Sequence, residues 1–311
     1  MSRDFYDQSR TRLVELISAF ADRDTSRLPG TFLVITDGCQ SHAQQDIIRL
    51  VRPTLRLINR GYHFQILGIR SQFRGYVYSE VLGGIRLGRY DSSRNGERPF
   101  YCFIFSTKTD FGKELKEIIS NEGIECHLLS LKEFLEAFSA KFEEEPNVDG
   151  KTTLSLWERC GKRGEGVYLY WKGKPPGNLK VVLSLSDTSD LHIGSGNIRA
   201  DIYCLHFESR RVLNPNCQLC KSSFKNPREI ECVFSFAEVE EPGWSTYKIV
   251  LYPRGGTFSP PKWVEEWSTD TDTALQYFNR TLFLKEFVEE VINRRFENLP
   301  LFVIYPVVRG R

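Results

Sequence analysis

The residues best placed to do chemistry lie in a short loop that follows an apolar run. Residues 31–42 read TFLVITDGCQSH, so a β-branched segment ends at Asp37 and is followed closely by Cys39 and Ser41. In an open α/β sheet, ligands bind at loops that follow the carboxyl ends of strands. Carboxylate and hydroxyl oxygens are the hard ligands that Mg²⁺ takes. The loop is therefore either a candidate divalent-cation site or a structural turn in which Asp37 caps the helix that follows.

The elements that must position this loop alternate between helix and strand in the first half of the chain. Leu13, Leu16, Ile17 and Phe20 have the spacing of an amphipathic helix. Strands separated by helices of ordinary length are typical of a largely parallel sheet covered on both faces. The apolar patterns predict strands over residues 31–36, 63–69, 99–105 and 124–129.

This order of features is similar to that of the von Willebrand factor A (vWA) domain, a doubly wound, Rossmann-like α/β fold. That family carries Asp-x-Ser-x-Ser after its first strand and a further Asp after its fourth, which together hold a divalent ion. The resemblance covers roughly residues 25–140. It implies that Asp37, Ser41 and Asp110 form the metal site. Cys39 stands where the first serine belongs, and a soft thiol is a poor ligand for Mg²⁺, so the adhesion site is degenerate.

The resemblance and the altered loop favour binding over catalysis. We expect a cytosolic, non-enzymatic adaptor that docks a protein partner at this edge, with contacts from Cys39, Ser71, Arg74 and Arg94. Intracellular vWA-like proteins often work in multi-component bacterial systems, including defence against phage. The resemblance thus implies a multi-subunit complex and an antiviral setting.

Two alternatives to the adaptor remain open at the level of the sequence. The first is a hydrolase that uses Cys39 as a nucleophile, or a metal held by Asp37 and Asp110. The second is a nucleic-acid-binding accessory protein, because arginines flank the polar segment RYDSSRNG. The net charge of only +2 gives no whole-molecule attraction for nucleic acid.

Another candidate site lies among the cysteines of the second half. Cys217 and Cys220 form a CxxC pair, with Cys204 upstream and Cys232 downstream at comparable distances. Four thiolates would make a tetrahedral structural zinc site, and His206 is a substitute ligand on the same strand face as Cys204. The alternative is that the cysteines of the apolar runs pack as small hydrophobic residues.

The composition of the chain changes at residues 143–152, which are acidic and contain proline and glycine. We therefore expect a vWA-like α/β domain over residues 1–142, a linker over 143–152, and a β-rich, sandwich-like domain with a long helix over 153–311. The chain has no apolar run long enough to span a bilayer and no signal-peptide pattern at its N-terminus. These features predict a cytoplasmic protein that does not bind membranes.

Overall fold

The structure of the protein is a computed structural model. It describes residues 13–23, 30–37, 43–108, 110–131, 138–145, 157–163, 166–171, 178–185, 191–193, 197–213, 215, 217–237, 243–254, 258–297 and 299–310. Among these residues, no helix is both long and apolar enough to cross a membrane.

Short helices and many strands make up the described residues. The helices are α1 (Leu13–Ala21), α2 (Ala43–Asn59), α3 (Ser92–Asn95), α4 (Phe111–Asn121), α5 (Lys262–Glu266) and α6 (Leu284–Phe296), with a 3₁₀ helix at Leu275–Asn279. The strands are β1 (Thr31–Thr36), β2 (His63–Ser71), β3 (Arg74–Ser79), β4 (Ile85–Asp91), β5 (Arg98–Ser106), β6 (Cys126–Leu131), β7 (Phe138–Glu145), β8 (Trp157–Arg163), β9 (Gly166–Trp171), β10 (Asn178–Leu185), β11 (His192–Ile193), β12 (Ile198–His206), β13 (Val212–Leu213), β14 (Cys217–Asn226), β15 (Glu229–Phe236), β16 (Gly243–Pro253), β17 (Phe258–Ser259), β18 (Ser268–Thr269), β19 (Thr281–Leu282) and β20 (Phe302–Gly310).

The chain divides into two compact units, each made of two segments. Unit 1 contains Met1–Lys132 and Pro260–Ile292, and unit 2 contains Glu133–Ser259 and Asn293–Arg311. The division differs from the predicted one, in which residues 143–152 were a linker. Residues 143–145 end strand β7, and residues 146–152 lie outside the described part of the chain. The amino-acid composition changes near residue 143, but it does not reveal that the later segment Pro260–Ile292 belongs to unit 1.

The main sheet of unit 1 has the strand order β1-β5-β2-β6, and every neighbouring pair is antiparallel. The expected doubly wound, vWA- or Rossmann-like parallel sheet is therefore wrong, and the chain as a whole is strand-rich. The reason lies between β2 and β5. A parallel neighbour requires a crossover helix, whereas here the chain forms the antiparallel hairpin β3–β4 and returns as β5 in the opposite direction.

Both faces of this sheet are covered. On one face, Phe105 stacks between Phe32 and Phe64, with ring centroids 4.7 and 4.8 Å away. On the other, Leu67 and Ile104 pack with side chains of α4. Gly68 lies where the indoles of helix α5 meet the sheet, since a Cβ there would come within 2.9 Å of Trp267. Only glycine lets the indole approach so closely.

Unit 2 is built mainly from two sheets, with strand orders β14-β15-β10-β7 and β13-β12-β16-β20-β9-β8. Their described pairs are antiparallel except β9–β20, which is parallel. The two sheets meet through apolar side chains, since Phe236 of β15 contacts Tyr247 of β16 edge-to-face at 5.3 Å. The long helix predicted for this domain is wrong, since α6 has only 13 residues and those up to Ile292 belong to unit 1.

Candidate functional site

The predicted metal-binding carboxylate is engaged by an arginine. Asp37 follows β1, and its Oδ2 lies 2.8 Å from Nη2 of Arg98, the first residue of β5. The guanidinium is largely buried, at 16% exposure, and lies near the rings of Phe73 and Phe278. Arg98 thus supplies the positive charge that a divalent cation was expected to supply beside Asp37.

The other predicted ligands do not join Asp37. Because β1 and β5 are antiparallel, Thr36 lies opposite Tyr101 and Thr31 lies opposite Ser106. Asp110 follows the far end of β5, directly before helix α4. The length of β1, which is about 17 Å for five residue steps of about 3.4 Å each, therefore lies between Asp110 and Asp37. Cys39 and Ser41 lie outside the described residues. The direction of the strands therefore does not bring Asp37 and Asp110 together.

Ser71, a predicted partner contact, lies at the end of β2 beside a cleft of about 530 Å³. Its hydroxyl donates a hydrogen bond to the carbonyl oxygen of Arg98 at 3.2 Å. The arginine of this cleft, Arg70, donates from Nη1 to the carbonyl oxygens of Glu97 and Asn279, and its guanidinium lies 4.3 Å from the Trp267 ring. These contacts hold Arg70 in place as part of the fold.

One predicted zinc ligand, Cys232, is separated from Cys217 along the sheet. Cys217 lies opposite Phe236, whereas Cys232 lies opposite Ser222, five residues further along β14. Burial raises the pKa of the Cys217 thiol and raises that of Cys232 to about 12, which opposes the thiolate form that zinc requires. Cys220 is exposed and Cys204 is buried.

The substitute ligand in the zinc prediction, His206, is engaged in a turn. Its Nδ1 lies 2.9 Å from the hydroxyl of Ser209 and accepts a hydrogen bond from the backbone N–H of the same residue. Within the described part of the chain, no three histidine, cysteine or acidic side chains form a group that could hold a metal ion.

The hairpin β3–β4, hereafter the ribbon (residues 74–91), is the surface that the sequence prediction did not identify. Its strands alternate, with Val77 and Tyr90 buried against Phe278 on the inner face. The opposite face turns tyrosines and arginines outward. Tyr76 and Tyr78 are exposed on this face, at 52% and 51%, and Val81, Leu82 and Ile85 (57%) are exposed at the tip of the ribbon.

The arginines of the outer face are open to solvent. Arg89 lies across from Tyr76 in the ladder, and the guanidinium carbon of Arg86 is 3.4 Å from the centroid of the Tyr76 ring. Neither arginine has a carboxylate partner among the described residues, in contrast with Arg98. Arginine stacked on an aromatic ring keeps its N–H groups available for a partner.

The turn of the ribbon is fixed by backbone geometry and by one buried carboxylate. Gly83 and Gly84 have φ values of +74° and +86°, a region that glycine adopts at little cost. Asp272, which is 5% exposed, accepts hydrogen bonds from the Ser79 hydroxyl and the Glu80 N–H, both at 2.6 Å, and from the Val81 N–H at 3.2 Å. The tip is thus held rigidly while its apolar side chains point outward.

Two predicted partner contacts lie at or beside the base of the ribbon. Nε of Arg74 lies 3.0 Å from Oδ2 of Asp91. Hydrogen bonds from the Ser93 hydroxyl and backbone N–H, with the charge of Arg74, lower the pKa of Asp91. Arg94 is exposed in the last turn of α3, just after the ribbon.

The sequence carried a signal for the ribbon. RGYVYS alternates outward polar or aromatic residues with inward ones, and a Gly-Gly pair separates it from a second β-type run, IRLGRY, which contains an irregularity in the ladder. Two β-type runs on either side of paired glycines are typical of a β-hairpin.

Comparison with known proteins gives no relative for this chain. No protein-family model, no curated protein and no solved structure matches it. The resemblance to the vWA family therefore stays a prediction from the sequence.

Proposed function

We propose that the protein is a non-enzymatic interaction protein, an adaptor that docks a protein partner on the outer face of the ribbon. The observation that carries the proposal is the exposed set of tyrosines, arginines and aliphatic residues on a hairpin that Asp272 holds rigid. Tyrosine and arginine are enriched in the energetically dominant parts of protein interfaces. A rigid surface also loses little conformational entropy on binding.

The charge of the ribbon favours a partner with an acidic, partly apolar surface. Arg86 and Arg89 are exposed and lack carboxylate partners among the described residues, whereas Asp91 is already paired with Arg74. The aliphatic tip, Val81-Leu82 with Ile85, favours protein over nucleic acid, because phosphate groups offer nothing for these side chains to bury against.

The test is quantitative capture of partners by the full chain from lysate of the cells that produce it, after nuclease treatment. We expect a specific protein whose recovery falls at least about tenfold with Tyr76→Ser/Ile85→Ser and with Arg86→Glu/Arg89→Glu, since loss of a hot-spot residue costs about 2 kcal/mol or more. Matched controls are Ile118→Ser, which removes an apolar side chain 63% exposed on α4, and Lys108→Glu/Lys113→Glu. Circular dichroism checks that every variant is folded.

Equal recovery of all partners by the ribbon variants and the controls would overturn the proposal. A fluorescence polarisation assay with labelled single-stranded and duplex DNA and RNA separates the other class of ligand. Tight, ribbon-dependent binding of these probes that weakens steeply with salt would assign the ribbon to nucleic acid instead.

A further inference from the structure

Within the described part of the chain, strand β12 of unit 2 is paired along the whole of one edge and along only a part of the other. Along its full length it pairs with β16, from Ile198 opposite Pro253 to His206 opposite Ser245. On its other side only Cys204 and Leu205 pair with β13. Within the described part of the chain, residues 198–203 have no strand beside them on that side.

The backbone groups that face the open edge follow from the alternation of an antiparallel ladder. The N–H of Phe207 donates to Trp244 at the end of β16, while the N–H of His206 donates to Arg211 on the β13 side. Successive residues direct their N–H and C=O groups to opposite sides. Ile198, Ala200 and Ile202 share the parity of His206, so their backbone groups point toward the open edge.

The side chains along this edge are self-complementary about Ala200. Arg199 and Asp201 are neighbours on the outer face, with Nε of Arg199 3.3 Å from Oδ1 of Asp201. If a second copy of β12 pairs antiparallel with Ala200 opposite Ala200, Arg199 of each copy lies opposite Asp201 of the other. Ile198 then lies opposite Ile202, so apolar residues meet as well.

Other two-fold registers on this edge are worse. Centring on Arg199 or on Asp201 places like charges opposite each other, which destabilises a strand pair. Centring on Ile202 places the second strand against Cys204, where β13 already lies. Centring on Ala200 brings the outward backbone groups together, places opposite charges across from each other and avoids β13. Ala200 also has the smallest side chain of the segment.

We propose that the protein forms a symmetric homodimer by antiparallel pairing of β12 with β12 of a second copy, centred on Ala200. The pairing makes about six backbone hydrogen bonds and two ion pairs between the chains. Open strand edges are ready templates for such pairing, and a two-fold axis makes the contact self-complementary and closed. The proposal uses residues of unit 2 and does not depend on the function assigned to the ribbon. A dimer carries two ribbons, which raises apparent affinity for a partner with two sites.

The test is sedimentation velocity of the full chain over a concentration series. We expect the wild type to pass from monomer to dimer in the micromolar range, because a short strand edge is smaller than a standard interface. Arg199→Asp and Asp201→Arg each place like charges across the axis, so each variant alone should self-associate at least tenfold more weakly. An equimolar mixture of the two variants restores opposite charges across the axis and should dimerise again.

The mixture separates the proposed contact from a simple loss of the ion pair within one chain. That internal pair is lost in both variants and stays lost when they are mixed, so recovery reports a contact between chains. A wild type that stays monomeric, single variants that dimerise like the wild type, or a mixture that stays monomeric would each overturn the proposal. Thermal unfolding followed by circular dichroism checks that the variants are folded.

Discussion

Two charged regions of unit 1 differ in whether their arginines have partners inside the protein. At the end of the main sheet, Arg98 is paired with Asp37, and Arg70 is held by backbone carbonyls and Trp267. On the outer face of the ribbon, Arg86 and Arg89 lie beside tyrosines and have no carboxylate partner among the described residues. The arginines of the first region are held by contacts within the protein, whereas those of the second remain exposed to solvent.

The difference shows why a constellation of residue types is a weak guide to a site. A ligand at Asp37 would have to displace Arg98 and leave a largely buried guanidinium without its ion pair, which is costly. A ligand at the ribbon has no such pair to break at Arg86 or Arg89. The surface most available for binding is therefore the one whose charged and apolar groups remain exposed after the fold has formed.

The largest effect should come from removing the carboxylate that holds the ribbon. Asp272→Ala leaves the Ser79 hydroxyl and the N–H groups of Glu80 and Val81 without their acceptor, so we expect the free energy of unfolding to fall by about 2–4 kcal/mol. Urea unfolding measures this loss. Asp270→Ala is the matched control, because Asp270 is exposed two residues away and should change stability by less than about 0.5 kcal/mol. Equal losses in the two variants would mean that the ribbon is not held by Asp272.

A smaller effect is expected from the ion pair between Asp37 and Arg98. Asp37→Asn should lower the free energy of unfolding by about 1–2 kcal/mol, because the carboxylate is half exposed while Arg98 is largely buried. A double-mutant cycle with Arg98→Met should assign most of this loss to the pair. The outcome that contradicts this account is a rise in melting temperature with Mg²⁺ that both Asp37→Asn and Asp110→Asn abolish, since only a shared metal would link these two residues.

The local elements of unit 1 were predictable because their signals are local. The strand predicted over Thr31–Thr36 is confirmed, and a strand over His63–Ser71 contains the one predicted over residues 63–69. Their direction was not predictable, because an apolar run is compatible with parallel or antiparallel neighbours. The direction of β5 relative to β1 determines whether the predicted metal ligands can meet, because it places Asp110 at the opposite end of the sheet from Asp37.

The features that sequence analysis missed depend on contacts between distant parts of the chain. Asp272 reaches Ser79 across 193 positions in sequence, and Trp267 packs over Gly68 at a similar separation. No local sequence pattern indicates either contact. The paired glycines between the two β-type runs of the ribbon are such a pattern, and they were sufficient to predict a hairpin there.

Glu231 of unit 2 is a carboxylate with partners inside the protein, in contrast with the exposed arginines of the ribbon. Oε2 of Glu231, a buried residue of β15, lies 2.6 Å from Nζ of Lys225 and 3.4 Å from Nζ of Lys180. Hydrogen bonding from Lys225, with the charges of both lysines, holds the pKa of Glu231 below its ordinary value of 4.5. A carboxylate with a lowered pKa in the folded state stabilises the fold above its ordinary pKa, and this contribution is lost as the pH falls through the folded value.

Glu231→Gln should therefore lower the free energy of unfolding by about 1 kcal/mol at neutral pH, because its ion pairs with Lys225 and Lys180 are lost. The difference from the wild type should shrink as the pH falls below 4.5, because the wild-type carboxylate then becomes protonated. Urea unfolding of both proteins across this range measures the change, and Lys225→Met should weaken the same pH dependence. A difference that stays constant with pH would show that Glu231 acts through packing instead of charge. In contrast, Arg86→Ala on the ribbon should change stability by less than about 0.5 kcal/mol at any pH in this range.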